Sequence, residues 1–427
     1  MSHLASYIKK NTLVRKRLEV VSNPSFSSTG VRQGRKSTAR MRLLSALCLA
    51  ASASSAAVAA MVDTKPEAWS TFVRNTISKA PNATRFSYPR QVQLSDGTLL
   101  VTASLFGPPP AYFPVFESKD GGATWDYISN ITDQVNGWGM SAQPSLLELT
   151  EKIGDYDVGT ILASGNSWSS NGTRLDVYAS KDKARTWEFV SRAVEGGRPS
   201  TADEADPVWE PFLMLYEHQI VVFYSDQRDP EHSQKLAHQV SSDLKNWGPV
   251  VNDVRYDDFK ARPGMTVVEY VPPINKYMLV YESPNSAIPS TDGQHYPVHY
   301  RLADSPLLFD SAPDYRIVIN GNFSPNASPY VVWTPVGGPN GTIIVSDADY
   351  DDLYTNTAGG DPNKWVRNGS PQSAAYARSL HVFKDRPDNL AIIGGDTFDG
   401  SDPDLTLSVV SVNALLANET DVAHGPR

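Results

Sequence analysis

The sequence predicts an all-β fold, a propeller of six blades. Three observations carry this: a Trp-ending turn that recurs about every 60 residues, short apolar strand-like runs that recur at the same period, and almost no helical periodicity after residue 90. The supply of 19 Tyr and 9 Trp against 7 Met fits a β-rich chain.

The turns come first. Ser118-Lys119-Asp120-Gly121-Gly122-Ala123-Thr124-Trp125 is matched by Ser180-Lys181-Asp182-Lys183-Ala184-Arg185-Thr186-Trp187 and by the shorter Ser241-Ser242-Asp243-Leu244-Lys245-Asn246-Trp247. Each follows an apolar run, and the first two clearly lead into another. Asp and Ser side chains can bond backbone N–H groups in such a turn, and Gly permits positive φ, so each segment reads as a β-hairpin. Trp125 to Trp187 is 62 residues and Trp187 to Trp247 is 60. Trp365, in the degenerate Gly360-Asp361-Pro362-Asn363-Lys364-Trp365, lies almost two periods further on, with the missing copy expected near Pro306. Blade openings are expected at Arg90–Leu94, Pro144–Glu148, Pro211–Leu215, Met265–Glu269, Tyr330–Trp333 and Ser379–Phe383. The three turn aspartates read as scaffold.

The N-terminus divides the chain. Residues 1–40 carry nine basic side chains against Glu19 and read as an extension of the gene model, with Met41 as the start. Residues 41–59 read as a secretory signal peptide: Arg42, the apolar run Leu43–Ala50, then Ala57-Val58-Ala59 as the cleavage site. Its apolar core is too short to span a membrane. Residues 60–427 form the propeller domain. Removing residues 1–59 takes away ten basic side chains and one acidic one, moving the net charge from −9 to −18. Such a chain is a poor partner for nucleic acid or an anionic membrane. The one cysteine, Cys48, lies in the signal segment, which leaves no disulfide, thiol nucleophile or thiolate metal site. Eight N-x-[ST] sequons, from Asn82 to Asn418, agree with a secreted, extracellular protein; Asn368 is the weakest, with Pro371 close behind it. No metal cluster, phosphate-cradling glycine loop or nucleophile elbow is present, and no cofactor is expected.

Propellers bind ligands where their inner strands begin, around the channel mouth. Aligning blade starts puts Arg90, Gln143, Glu210, Arg262 and Arg378 at comparable positions. Glu210, in Val208-Trp209-Glu210-Pro211-Phe212, is a carboxyl among apolar and aromatic neighbours, surroundings that raise its pKa and suit a general acid. Glu282 ends the strand-like Lys276–Glu282 of the next blade; Glu269 is a rival. Trp138, Trp168, Trp209 and Trp333 are candidate sugar-stacking rings or core residues.

The turns resemble the Asp-box, or BNR repeat, of sialidase-like propellers. Together with the six-blade period, the Trp-Glu-Pro-Phe segment and the Val-Tyr-Glu segment 72 residues later, they make the chain similar to the fungal exo-α-1,5-L-arabinanases of glycoside hydrolase family 93. That resemblance implies a monomeric, cofactor-free six-bladed enzyme that cleaves linear arabinan, a side chain of pectin, and releases arabinobiose with retention. It implies Glu210 as acid/base and Glu282 as nucleophile, with Arg90, Gln143, Trp209, Arg262 and Arg378 contacting sugar or orienting carboxylates. Glu210 is then the carboxyl expected to hold a proton and Glu282 the one expected to stay ionised. Two other readings stay open. In a sialidase, Arg90, Arg262 and Arg378 would grip a substrate carboxylate, although Tyr88-Pro89-Arg90 has its Pro on the wrong side of the Arg. The other is a glycan-binding propeller without catalysis.

Overall fold

A computed structural model describes residues 65–284, 295–396 and 402–418. The extension, the signal segment and their boundary at residue 59 lie outside these residues. Six four-stranded antiparallel sheets follow one another around a ring. Blade 1 holds β2 (Arg85–Gln93), β3 (Leu99–Phe106), β4 (Tyr112–Ser118) and β5 (Asp126–Thr132). Blade 2 holds β6 (Ala142–Glu148), β7 (Ile161–Ser169), β8 (Gly172–Ser180) and β9 (Glu188–Gly196). Blade 3 holds β10 (Val208–Tyr216), β11 (Gln219–Asp226), β12 (Lys235–Ser241) and β13 (Val251–Val254). Blade 4 holds β14 (Gly264–Val271), β15 (Lys276–Glu282), β16 (Val298–Ala303) and β17 (Asp314–Arg316). Blade 5 holds β18 (Tyr330–Thr334), β19 (Thr342–Ser346), β20 (Leu353–Asn356) and β21 (Val366–Asn368).

Blade 6 is built from both ends of the propeller. β22 (Ser379–Phe383), β23 (Arg386–Gly394) and β24 (Leu405–Ser411) are joined by β1 (Phe72–Ser78), which pairs with β24 as the outermost strand. The six expected blade openings all fall on the innermost strands. The closing strand does not show in the turn period, because it precedes the first turn and carries none.

Burial explains why the blades stand side by side. Among the described residues the apolar side chains form an interface cluster between each pair of neighbouring blades. Leu162, Leu175 and Val177 of blade 2, for example, meet Val208, Val222 and Tyr224 of blade 3. Ile77 of β1 joins Leu99, Val101, Ile393 and Leu407 in the cluster that seals blade 6 against blade 1.

The repeated turns connect the third and fourth strands of their blades. Asp120 accepts hydrogen bonds from the Thr124 N–H (2.9 Å) and the Ser118 hydroxyl (2.8 Å), and Asp182 does the same with Thr186 and Ser180. The second copy has no Gly, so Lys183 and Ala184 themselves take positive φ, 56° and 64°. The tryptophans act between blades. The Trp187 indole N–H donates to Ser129 Oγ of blade 1, and the Trp247 indole N–H to Ser191 Oγ of blade 2. Each of those serines donates to the turn that carries the Trp, at Ala184 O and Leu244 O. Blade 1 receives the same clasp from β1, where Asn75 Nδ2 donates to Gly122 O (2.7 Å). In blade 4, where no Trp ends the turn, the buried Phe309 packs against the blade 3 core. Asn368 is 1% exposed, with Thr355 and the Leu415 carbonyl on its side chain, so that sequon cannot carry a glycan in the folded protein.

Deleting residues 65–78 should therefore open the ring. It strips β24 of its partner and uncovers the blade 6 to blade 1 cluster. We expect a clear loss of thermal stability with a concentration-dependent rise in apparent mass, read by circular dichroism and size-exclusion chromatography. A deletion variant that melted like the parent would contradict this.

Candidate functional site

Each inner strand enters the ring through a residue in left-handed backbone conformation. Tyr88 (φ 54°), Gln143 (63°), Glu210 (62°), Met265 (64°), Ala327 and Ser328 (63° and 45°) and Ala377 (55°) occupy this place in blades 1 to 6. In blades 1 to 4 the strand register also shifts there, with two residues opposing one. Glu210 and Pro211, for example, stand against Tyr224 alone, between the pairs Trp209–Ser225 and Phe212–Phe223. Such a bulge re-aims a side chain toward the ring's end, and a non-glycine residue held at positive φ costs on the order of 1–3 kcal/mol. In blades 1, 2 and 3 the next residue is Pro89, Pro144 or Pro211, which has no N–H to lose from the ladder.

The N–H groups of four of these left-handed residues bond to the preceding blade. Gln143 donates to Ser104 Oγ (2.9 Å), Glu210 to Gln143 Oε1 (3.1 Å), Met265 to Glu210 Oε2 (2.8 Å), and Ser328 to Glu282 Oε2 (2.7 Å). Both glutamates are thus held by backbone of the following blade. Ser225 Oγ also donates to Glu210 Oε2, at 2.7 Å.

The two carboxyls belong to one pocket. Glu282 pairs directly with Gly264, the residue before the Met265 bulge. A methyl group on Gly264 would lie 3.4 Å from Glu210 Oε2 and 3.6 Å from Glu282 Oε1, so no more than the sum of these separates the two oxygens. Around them the pocket is lined by Tyr88, Gln143, Trp168, Trp209, Gln234, Arg262 and Tyr376, among others. Below, Tyr88, Met265 and Ala377 pack together as an apolar floor.

Burial dominates the electrostatics. It pushes the Glu282 carboxyl up to about 8, with the neighbouring Glu210 charge acting the same way. Burial also raises Glu210, against the opposing pull of the Ser225 and Met265 hydrogen bonds and the Arg262 charge. Both carboxyls are therefore harder to ionise than free ones, and the charge on one opposes ionisation of the other. The expectation that Glu282 is the ionised member needs correction. The two donors on Glu210 Oε2 favour its anion, and Glu282, 3% exposed, is the better proton holder.

Four of the expected residues, Gln143, Trp209, Glu210 and Arg262, line the pocket with Glu282. Arg90 and Arg378 do not. Arg90 is two residues past its bulge, 5% exposed, stacked on Tyr88 and Tyr330, and donates to the Pro89 and Ala377 carbonyls. Arg378 is 0% exposed and donates to the carbonyls of Asp347, Tyr350, Asp351, Asp352 and Gln372. The blade equivalents of Gln143 and Glu210 are Tyr88, Met265 and Ala377 instead, so no three-arginine grip is presented to a substrate. Glu269 lies further along β14, with Met278 opposite, outside the pocket lining. Trp168 joins the pocket edge-on to Trp209, at 5.6 Å between ring centres. Trp138 lies under Arg174, and the Trp333 indole donates to Asn340 O, both outside the pocket lining. Tyr88, Ser225 and Ser328 escape a reading of charge alone. The X-Pro pair repeated at three strand entries marks the first of them. Among the described residues no group of three His, Cys, Asp or Glu side chains could hold a metal ion.

Solved structures share this architecture. The chain is 43% identical to the α-L-arabinofuranosidase Arb93A of Fusarium graminearum, solved with an iminosugar inhibitor; the match covers 81% of this chain and 99% of that one, with a TM-score of 0.78. The Fusarium enzyme, described as belonging to GH93, is also solved with arabinobiose, at the same identity and coverage. An α-L-arabinanase of Penicillium chrysogenum, complexed with arabinobiose, is 39% identical over the same shares, with a TM-score of 0.77. A Hadza microbial sialidase, 12% identical over 80% of this chain and 69% of its own at a TM-score of 0.54, shares the fold alone. No family model and no curated protein matches the chain.

The raised Glu282 predicts how stability responds to pH. A carboxyl with a folded pKa near 8 and an ordinary unfolded one binds more protons when folded. Its contribution is complete at acid pH and is lost as pH rises toward 8. Glu282→Gln lacks this loss. Its melting temperature should exceed the parent's by a margin that grows from about pH 5 to about pH 8 and then levels. A constant or shrinking margin in a thermal-shift series would refute the assignment.

Proposed function

The chain belongs to glycoside hydrolase family 93, and from that premise we propose that it is a secreted exo-acting enzyme that releases arabinobiose, with retention, from linear α-1,5-L-arabinan. One observation supports the reading above the rest: two carboxyls from adjacent blades face the same Gly264 in one pocket, in a chain 43% identical to an enzyme solved with arabinobiose. The substrate we assign is the arabinan side chain of pectin, met by a monomeric protein outside the cell.

Retaining cleavage needs one carboxyl to protonate the leaving oxygen and a second to attack the anomeric carbon. One proton on the pair is the occupancy this requires, and for the reaction substrate binding must bring it from Glu282, the better holder, to Glu210, leaving Glu282 the attacking carboxylate. We assign Glu210 as acid/base and Glu282 as nucleophile. Glu210 gives its proton to the glycosidic oxygen while Glu282 forms a bond to the anomeric carbon. Glu210 then takes a proton from water, and that water displaces Glu282. The Ser225 hydroxyl and the Met265 N–H stabilise Glu210 once it has become an anion. The Ser328 N–H aims Glu282. Trp168 and Trp209 offer apolar wall to the sugar, and Gln143 and Arg262 offer polar groups to its hydroxyls.

Glu282→Ala should lose at least a thousandfold in kcat on debranched arabinan. With an activated aryl arabinoside, azide should restore turnover and give the glycosyl azide of inverted configuration. Glu210→Ala should lose roughly 10²–10⁴-fold on arabinan and far less on the aryl substrate, which needs no proton. For the parent, kcat/KM should fall above a pH of about 8, where the pair gives up its last proton. Hydrolysis of a sialoside with arabinan untouched, or near-full activity in both variants, would reject the proposal. N-terminal sequencing of the secreted protein should begin near Ala60; finding residues 1–40 on it would reject the assigned cleavage.

A further inference from the structure

We propose that Gln227 is a positioning residue, whose single side-chain oxygen fixes the Arg262 cation at a set distance from Glu210 and Glu282. This rests on the reading of those two glutamates as the reacting pair. Gln227 does not line the pocket, yet two groups that do are fastened to it: the Trp209 indole N–H donates to Gln227 Oε1 at 2.8 Å, and Arg262 Nη2 donates to the same oxygen at 2.8 Å. Indole and guanidinium are donors only, so the amide's orientation follows from its neighbours. Its Nε2, fully buried, meets no acceptor among the described residues, so the oxygen is what this side chain contributes.

The surroundings make the node stiff. Gln227 is 4% exposed, directly follows β11, and donates its backbone N–H to Pro207 O at the entry of β10. The remaining holders of the guanidinium are neutral as well: Gln234 Oε1 at 2.9 Å, Ser233 Oγ at 2.8 Å and Ser233 O at 3.2 Å. Gln234 is itself fixed by donating to Pro263 O, and Ser233 Oγ by donating to Asp203.

This arrangement has a chemical consequence. A cation bonded directly to either glutamate would hold that glutamate ionised. Here the Arg262 charge acts on both, while its guanidinium donates to Gln227, Gln234 and Ser233. The other titratable groups around the pair are Tyr88, Tyr296, Tyr376 and Asp349, and Asp203 faces Arg262. Burial raises all three tyrosine hydroxyls above their ordinary value, so they stay neutral through the working range. Arg262 is thus the cation through which the pair's proton count can be tuned, and Gln227 is its anchor.

The test compares Gln227→Met and Gln227→Glu with the parent. Two quantities are followed: the alkaline limb of kcat/KM on an aryl arabinoside, and the carboxyl titration of ¹³C-glutamate-labelled protein without substrate. Gln227→Met releases Arg262 toward the glutamates and should lower the limb by about one pH unit; Gln227→Glu adds a negative charge beside the cation and should raise it by about as much. In an Arg262→Met background, Gln227→Met should no longer move the limb. A residue that only supports the wall would lower activity without moving the limb, and that result overturns the proposal. So does an equal shift with and without Arg262. Should Gln227→Met not fold, an unmoved limb in Gln227→Glu is decisive. If the parent does not hydrolyse arabinan, the proposed function fails, while the carboxyl titration still tests Gln227.

Discussion

The bond between a bulged backbone N–H and a polar atom of the preceding blade is what the site depends on. A regular inner strand would spend that N–H inside its own sheet. In blades 2, 3 and 4 the extra residue releases it to an acceptor of the neighbour, and in blade 5 Ser328, also left-handed, does the same without a bulge. Ser104, Gln143, Glu210 and Glu282 take these roles in turn. Two of the four acceptors are the carboxyls of the pocket. The backbone strain at the ring's mouth and the aim of the glutamates are therefore a single feature, repeated around the axis.

Period and patterning were enough to place the blades, because each Trp ends a turn, and Trp187 and Trp247 also fasten their turns to the preceding blade. The spacing of 62 and 60 residues is the spacing of a mechanical joint, not of a local motif. Glu210 and Glu282, picked out as an acid between Trp and Pro-Phe and another closing an apolar strand, do come together in one pocket. The arginines were not. Aligning strands by residue count ignores a bulge, which displaces everything after it, and so Arg90 was matched to a place that Tyr88 holds. Arg378 shows a second limit. A guanidinium can be consumed by backbone carbonyls and a buried carboxylate, here Asp347, and nothing in its flanking sequence says so.

The charge state of the pair is a product of surroundings that no local segment contains. Glu210 receives its donors from Ser225 on the adjacent strand and from Met265 in the next blade, and Glu282 receives Ser328 from the blade after. Neighbours in the sequence, apolar for both, predict only that each carboxyl is raised. Which one gives up its proton first is decided by partners 15, 55 and 46 residues away.

The strand that closes the ring also sets an order of events. Phe72 pairs with Val409, so a segment made at the beginning of the propeller stays unpartnered until nearly all of the chain exists. Five blades can complete their sheets from local sequence as they emerge, but the sixth needs its outermost strand from the other end of the propeller. The step that completes the ring is also the contact of greatest sequence separation, the kind that makes folding slow. Maturation of this protein is accordingly governed by when its two ends meet, and the emerging chain carries an unsatisfied β-edge until they do.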